Sequence, residues 1–180
     1  MLSERESIIW IAEGDIGIRR MEYSPNDISL LEKWLNDEVV QDYYEGRSKT
    51  YTREQIVAKF GPRLLGNDPV IPCLILYHGV AIGYIQYYQL LSQEQEDYSV
   101  DPGKLAYGID LFIGEPSYWN KRIGSKALKR LLAYLFEEIR ADIVCVDPQT
   151  WNERAIRCYL KCGFKKTKVL EQREHLQWIL

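Results

Sequence analysis

A basic connection between two predicted elements is the first part of the sequence whose residue types are suited to chemistry. Residues 119–125 read WNKRIGS, after a predicted strand and before a predicted helix. The first turn of a helix presents unpaired N–H groups and the positive end of the helix dipole, which suit a pyrophosphate. Lys121, Arg122 and Lys126 add positive charge. The segment therefore predicts an anion site, although such a loop also occurs as plain solvated surface.

A second segment carries a more specific pattern. Residues 152–164 read Asn-x-x-Ala-x-x-x-Tyr-x-Lys-x-Gly-Phe. This pattern resembles the closing motif of the GCN5-related N-acetyltransferase (GNAT) superfamily, and it follows the basic loop at the distance that the family shows. Helix packing and capping would explain the alanine, the tyrosine and the glycine in any protein, but they do not require Asn152, Tyr159 and Lys161 in one frame.

The resemblance implies a fold and a co-substrate. It implies one α/β (α+β) domain over residues 1–180, with a mixed, mostly antiparallel sheet flanked by helices, and it implies acetyl-coenzyme A and no metal. In that family two adjacent parallel strands splay apart and pantetheine lies in the gap, bonding strand backbone as an added strand would. The matching strands are predicted at residues 105–113 and 143–147. The implied coenzyme-binding residues are Leu111, Phe112, Ile113, Trp119, Asn120, Lys121, Arg122, Ile123, Gly124, Ser125, Asn152, Ala155, Tyr159 and Lys161.

The basic loop departs from the family pattern Gln/Arg-x-x-Gly-x-Gly/Ala at two positions. Trp119 occupies the first position and Arg122 the first glycine, so that only Gly124 remains. A side chain therefore lies where close approach of the backbone to phosphate is normal. Arg122 is expected either to contact phosphate itself or to point to solvent.

Other segments resemble one group within the superfamily, the aminoglycoside 6′-N-acetyltransferases. They are AIGYIQ at residues 81–86, YGIDLFIGEP at 107–116, YW at 118–119 and DP at 147–148, and the likeness extends from about residue 16 to the C-terminus. The resemblance implies antibiotic resistance through acetyl transfer to the 6′-amine, by direct attack in a ternary complex. Asp110 would accept the proton of the amine or orient it, and Tyr159 would protonate the departing thiolate. Backbone amides of residues 111–113 would polarise the thioester carbonyl.

The distribution of charge agrees with an anionic coenzyme and a cationic acceptor. Residues 1–118 carry 19 acidic and 10 basic side chains, whereas residues 119–180 carry 7 and 13. An acidic region attracts a polycation such as an aminoglycoside, although solvated surface explains single runs equally well. The candidate substrate-binding residues are Tyr84, Gln86, Tyr88, Asp97, Asp110 and Asp147.

Two rival functions stay open. The acceptor is alternatively a polyamine, another small amine or a protein N-terminus, or the chain is a noncatalytic module that binds acyl-coenzyme A or the drug. Nucleic-acid binding is disfavoured by the net charge of -3. The spacing of the four cysteines resembles neither a zinc site nor a redox pair, which predicts buried free thiols. We expect a cytoplasmic protein, since residues 1–6 do not resemble a signal peptide and no apolar run is long enough to cross a membrane. We expect it to be a monomer or a homodimer.

The elements that position these residues follow from turn residues and hydrophobic periodicity. Strands are predicted at residues 8–11, 16–21, 70–77, 80–89, 105–113, 143–147, 164–170 and 175–180. Helices are predicted to start at Ser24-Pro25 and at Thr52, the latter ending near Gly61-Pro62. Further helices are predicted from near Ser125 to Ile139 and at residues 152–162, with Gly163 left-handed. Residues 91–104 are predicted to form a loop.

Overall fold

A mixed six-stranded sheet is the main feature of the computed structural model, which describes residues 11–44, 49–172 and 175–179. Its strands, in spatial order, are β1 (Ile11–Glu13), β2 (Ile16–Arg20), β3 (Ile71–Tyr77), β4 (Val80–Gln89), β5 (Ala106–Ile113) and β6 (Ile143–Cys145). The pairs β1–β2 and β2–β3 are antiparallel, whereas β5 and β6 are parallel. A separate antiparallel pair is formed by β7 (Lys168–Gln172) and β8 (His175–Ile179). The predicted fold class is confirmed.

Six helices accompany the strands in the described part of the chain: α1 (Pro25–Leu35), α2 (Glu38–Tyr44), α3 (Arg53–Leu64), α4 (Ser92–Asp97), α5 (Ile123–Glu137) and α6 (Glu153–Lys161), with a 3₁₀ turn at Pro116–Tyr118. Two predicted helix starts are confirmed in atomic detail. The Ser24 side chain accepts from the backbone N–H of Asp27, and Thr52 forms a reciprocal capping box with Gln55.

Two predicted turns are also confirmed. His78 and Gly79 connect β3 to β4 with φ angles of 47° and 78°, the left-handed conformation that a tight two-residue hairpin requires. Gly163 follows α6 with a φ of 97°, which glycine adopts without steric cost.

Several predicted boundaries are wrong. Helix α3 continues through Pro62 to Leu64, because a proline near the end of a helix removes only one hydrogen bond of the ladder. The segment predicted as a loop contains α4, whose first turn is closed by a hydrogen bond from the Leu91 N–H to Glu94. Helix α2 was not predicted, and β7 begins at Lys168 rather than at residue 164. Most of the strand predicted at residues 8–11 lies outside the described residues.

The chain forms two compact units, and the boundaries fall inside β4 and β5. Unit one comprises the residues up to Gln86 together with Leu111–Ile123, and unit two comprises Tyr87–Asp110 and Gly124–Leu180. In unit one, the fully buried Trp34 and Tyr84 pack against Phe112 with ring centroids 6.1 and 5.4 Å apart. In unit two, α5 buries Leu128, Leu131 and Leu135 completely. Among the described residues, no helix is long and apolar enough to cross a membrane.

Candidate active site

Two carboxylates follow the paired residues of the parallel strands of unit two. The β5–β6 pairing covers three residue pairs and ends at Gly108 opposite Cys145. Asp110 lies two residues beyond Gly108, and Asp147 two residues beyond Cys145. The charge of Asp110 acts on Asp147, so the two acids are neighbours in space. The point where pairing stops is therefore followed by two acids.

Tyr98 forms a hydrogen bond with one of these acids, Asp147. Its ring packs against the buried cluster of Leu90, Ala106 and Cys145, and its hydroxyl donates to Oδ2 of Asp147 over 3.0 Å. Burial and the neighbouring charge of Asp110 raise the pKa of Asp147 to about 7, and the hydrogen bond from Tyr98 offsets only part of that rise. Asp147 is thus poised to change protonation near neutral pH.

Tyr88 lies next to the other acid. Its hydroxyl lies beside Asp110, and burial raises the pKa of this phenol, with a further contribution from the charge of Asp110. The phenol lies directly against the backbone of Gly108, where an added Cβ would come within 2.5 Å of the Tyr88 ring. Glycine at this position is therefore required for Tyr88 to reach Asp110.

A third phenol comes from α6. Tyr159 is 6% exposed and packs edge-on against Phe164, with ring centroids 5.7 Å apart. Burial raises its pKa well above the ordinary value, and the charge of Asp110 is the next contribution. The phenol therefore stays protonated and acts as a hydrogen-bond donor. The helix is fixed at its start by Asn152, whose buried Oδ1 accepts from the Ala155 N–H at 3.1 Å.

We call these two acids and three phenols the acid–tyrosine cluster: Tyr88, Tyr98, Asp110, Asp147 and Tyr159. Two neighbouring carboxylates attract a cationic amine, and the charge of Asp110 is one of the two causes of the raised pKa of Asp147. The cluster combines a site for a cation with a group that can accept a proton near pH 7.

The end of β5, in unit one, supplies backbone donors. The amides of Gly114 and Glu115 both donate to the carbonyl oxygen of Ile82 in β4, at 2.9 and 3.2 Å, which forms a β-bulge. Alternate amides of a strand point to opposite edges, so the N–H groups of Leu111 and Ile113 point away from β4. These two amides, rather than all three of residues 111–113, have the direction that a ligand at the other edge would need.

The basic loop, also in unit one, has an unusual backbone. Asn120 and Arg122 have φ angles of 60° and 62°, the region that a glycine favours. Arg122 therefore keeps the backbone conformation expected for the glycine of the family pattern. Arginine in place of that glycine changes the side chain more than the backbone. The Trp119 indole donates to the Ile113 carbonyl at 2.9 Å, and Lys121 is exposed. This exposed cationic loop, directly followed by the start of α5, has the charge that an anionic group would need.

The profile of the acetyltransferase (GNAT) domain family matches residues 24–172 of this sequence. This chain belongs to the GNAT acetyltransferase family. Members of the family take their acetyl group from acetyl-coenzyme A. Among the described residues of this GNAT acetyltransferase, no group of three or more His, Cys, Asp or Glu side chains is placed to hold a metal ion.

Several proteins similar to this GNAT acetyltransferase are named as aminoglycoside acetyltransferases. It is similar to an aminoglycoside N(6')-acetyltransferase type 1 of Klebsiella pneumoniae, at 30% identity over 89% of this chain and 79% of that protein. It is also similar to the aminoglycoside acetyltransferase AAC(6')-Ib in complex with coenzyme A and kanamycin, at 26% identity and a TM-score of 0.76, covering 91% of this chain and 92% of that one. The same enzyme in complex with paromomycin and acetyl-coenzyme A gives a TM-score of 0.77 and 26% identity, covering 92% of both chains.

The remaining predicted site residues of the GNAT acetyltransferase lie in other surroundings. Tyr84 is fully buried in unit one, and its hydroxyl donates to Gln86 Oε1 at 2.6 Å; Arg63 donates to the same oxygen at 3.1 Å. Tyr84 is therefore placed to orient Gln86 rather than to meet a ligand directly. Asp97 is exposed on α4 and accepts from Gln93 at 3.2 Å. Lys161 is exposed in the last turn of α6.

One member of the acid–tyrosine cluster was missed by sequence reasoning. Tyr98 lies in the segment that was predicted to be a loop, and only the structure places it beside Asp147. The available signal was a single tyrosine among acidic and polar residues. A tyrosine ring usually packs against an apolar surface, which would have indicated a contact with another element.

Proposed function

We propose that this GNAT acetyltransferase transfers the acetyl group of acetyl-coenzyme A to the 6′-amine of aminoglycosides and thereby confers resistance to them. The relatives named above support the acceptor class. The observation that carries the proposal is the neighbouring pair Asp110 and Asp147, each two residues beyond the last pair of β5 and β6. A polycationic acceptor suits two neighbouring carboxylates better than a neutral one does.

The acid pair has two tasks in this proposal. Before the reaction, Asp110 and Asp147 bind the protonated amine and orient it, which favours the doubly ionised pair. The amine must then lose a proton to become a nucleophile, and Asp147, whose pKa is raised to about 7, makes the site able to accept a proton near neutral pH. We assign the contact with the amine to Asp110 and the tuning of the pair to Asp147, which Tyr98 holds in place.

The coenzyme is assigned to three groups of residues. Acetyl-coenzyme A supplies the activated thioester, so the enzyme needs no nucleophile of its own. The loop residues Trp119, Asn120, Lys121 and Arg122, with the start of α5, would bind its phosphates. The outward amides of Leu111 and Ile113 would polarise the carbonyl. Tyr159 would stabilise the departing sulfur by a hydrogen bond, because a phenol with a raised pKa donates a bond more readily than a proton.

A matched pair of acceptors tests this function. Neomycin and paromomycin differ in carrying an amine or a hydroxyl at the 6′ position. Thiol release from acetyl-coenzyme A is measured with the purified chain and each drug, with spermidine and with a peptide panel. We expect release with neomycin and kanamycin and almost none with paromomycin. Equal release with paromomycin would show that another amine of the drug is acetylated. Release only with spermidine or peptides would contradict the proposed acceptor class. Tight binding without release would indicate a noncatalytic module.

Two broader statements belong to the same proposal. We propose that residues 1–180 act as one acetyltransferase domain, since β4 and β5 each run through both compact units. We also place the reaction in the cytoplasm, where acetyl-coenzyme A is available.

A further inference from the structure

Two of the four cysteines form a pair that the proposed reaction does not use. Cys158 and Cys162 lie one turn apart on the same face of α6 and its C-cap, and both are half-buried. The two thiols lie close enough for each to affect the pKa of the other, and the Cys162 S–H donates to the Ser125 carbonyl at 3.5 Å. Cys73 and Cys145, in contrast, are buried in strands. The prediction of buried thiols is thus right for the strand cysteines and wrong for the helical ones, because α6 leaves this edge of its face partly open.

The surroundings make the two helical thiols unequal. The contact with Cys158 lowers the pKa of the Cys162 thiol, and Lys129 lowers it further, against the effect of burial. The same contact raises the pKa of Cys158. Burial raises the pKa of Cys73 to about 12 and that of Cys145 to about 11. Since the thiolate is the reactive form of cysteine, these surroundings favour Cys162 as the attacking thiol.

We propose that Cys158 and Cys162 form a thiol–disulfide exchange site for low-molecular-mass disulfides, in which Cys162 attacks and Cys158 resolves. The Cys162 thiolate attacks one sulfur of the incoming disulfide, the S–S bond breaks, and the other half leaves with the bonding electrons as a thiolate. Cys158 then loses its proton to solvent and attacks the Cys162 sulfur, which expels the second half. Two protein thiols are oxidised to one disulfide, and the reagent is reduced to two thiols.

The position at the end of the helix permits this closure. Residues four apart on a helix have Cβ atoms about 5–6 Å apart, whereas a disulfide needs roughly 3.5–4.5 Å. Cys162 is the C-cap and is followed by Gly163 in the left-handed conformation, so only the last turn of α6 must tighten. The resulting bond is strained and therefore easily reduced, which is typical of reversible rather than structural disulfides.

The test maps the cysteines of the folded full chain after exposure to oxidised glutathione. Peptide mass spectrometry with differential alkylation should show a Cys158–Cys162 disulfide without bound glutathione, while Cys73 and Cys145 stay reduced. The variant Cys158→Ser should retain glutathione on Cys162, because the resolving thiol is gone. The variant Cys162→Ser should react at least tenfold more slowly.

Three results would overturn the proposal. They are preferential reaction of Cys73 or Cys145, stable glutathione on Cys162 in the unaltered chain, and first attack by Cys158. If a serine variant fails to fold, as judged by circular dichroism, the mapping of the unaltered chain still decides, because it separates the helical pair from the strand cysteines. Dithiothreitol should return the closed form to four free thiols, and failure to do so would also contradict a strained, reversible bond.

Discussion

The Tyr98 hydroxyl donates to Oδ2 of Asp147 over 3.0 Å, and this contact ties the residue after α4 to the residue two positions beyond β6. It joins two segments that are 49 residues apart in the chain. Asp147 keeps a pKa of about 7 despite this hydrogen bond, because burial and the charge of Asp110 outweigh it. Tyr98 therefore limits how far the acid is driven toward its neutral form.

Replacing Tyr98 by phenylalanine tests that role. The ring would keep its packing against Leu90 and Cys145, but the pKa of Asp147 would rise further. We expect kcat/KM for a cationic acceptor to fall about tenfold at pH 7, the size of one lost hydrogen bond to a charged group, and the rising limb of its pH profile to move to higher pH. A uniform loss at every pH, with the limb in place, would indicate a merely structural role.

Asp147 should also leave a signature in stability. An acid whose folded pKa lies above its unfolded value of about 3.9 is destabilising when ionised. Its favourable contribution is complete below about pH 4 and is lost as the pH rises through about 7. Asp147→Asn should therefore raise Tm by about 5 °C at pH 8 and change it little at pH 4.5. Thermal scans across this range check the sign, and an equal shift at both pH values would contradict it.

Gly108 offers a steric test of the acid–tyrosine cluster. An alanine Cβ would lie 2.5 Å from the Tyr88 ring, so that ring must move away from Asp110. We expect Gly108→Ala to cost about 1–3 kcal/mol of stability, typical of overpacking, and to reduce activity. The double variant with Tyr88→Val should recover much of the stability but not the activity. Additive losses of stability in a double-mutant cycle would show that the two residues do not clash.

Replacing Arg122 by glycine tests whether its guanidinium contacts a phosphate of the coenzyme. Glycine adopts the left-handed conformation without strain, which stabilises the folded state, but it also raises the conformational entropy of the unfolded chain. Because these effects oppose each other, the free energy of unfolding should change by less than about 1 kcal/mol in Arg122→Gly. We expect the KM for acetyl-coenzyme A to rise about threefold to tenfold and to depend less on salt, with the KM for the acceptor unchanged. Initial rates at several salt concentrations measure this, and an unaltered coenzyme KM would place the guanidinium in solvent.

Local signals in the sequence were enough to predict much of the fold. The capping residues Ser24 and Thr52, the His78-Gly79 turn and the periodicity of α5 are short-range features, and each is confirmed. The parallel pair was predicted only because the motif at residues 152–164 resembles that of a known family. Nothing local in a three-residue strand such as β6 distinguishes a parallel from an antiparallel partner.

The site was harder to predict because its contacts are long-range. Asp110 and Asp147 were named as candidate acids, but their closeness depends on the pairing of β5 with β6, which joins distant parts of the chain. Tyr98 was missed because its partner lies in another element. Tyr84 was expected near a ligand, yet packing against Phe60 and Phe112 buries it completely, and a sequence does not reveal which face of a mostly apolar strand meets the core.

The substitution Asp110→Asn tests the account most directly, because it keeps the shape of the side chain and removes its charge. The control is Asp15→Asn, which removes an equal charge from an exposed turn. We measure kcat/KM for neomycin at pH 7 by thiol release, together with Tm. We predict a fall of at least about 100-fold for Asp110→Asn, the size expected for a lost proton acceptor, with no change in the control; full kcat/KM in a folded Asp110→Asn protein would contradict the account.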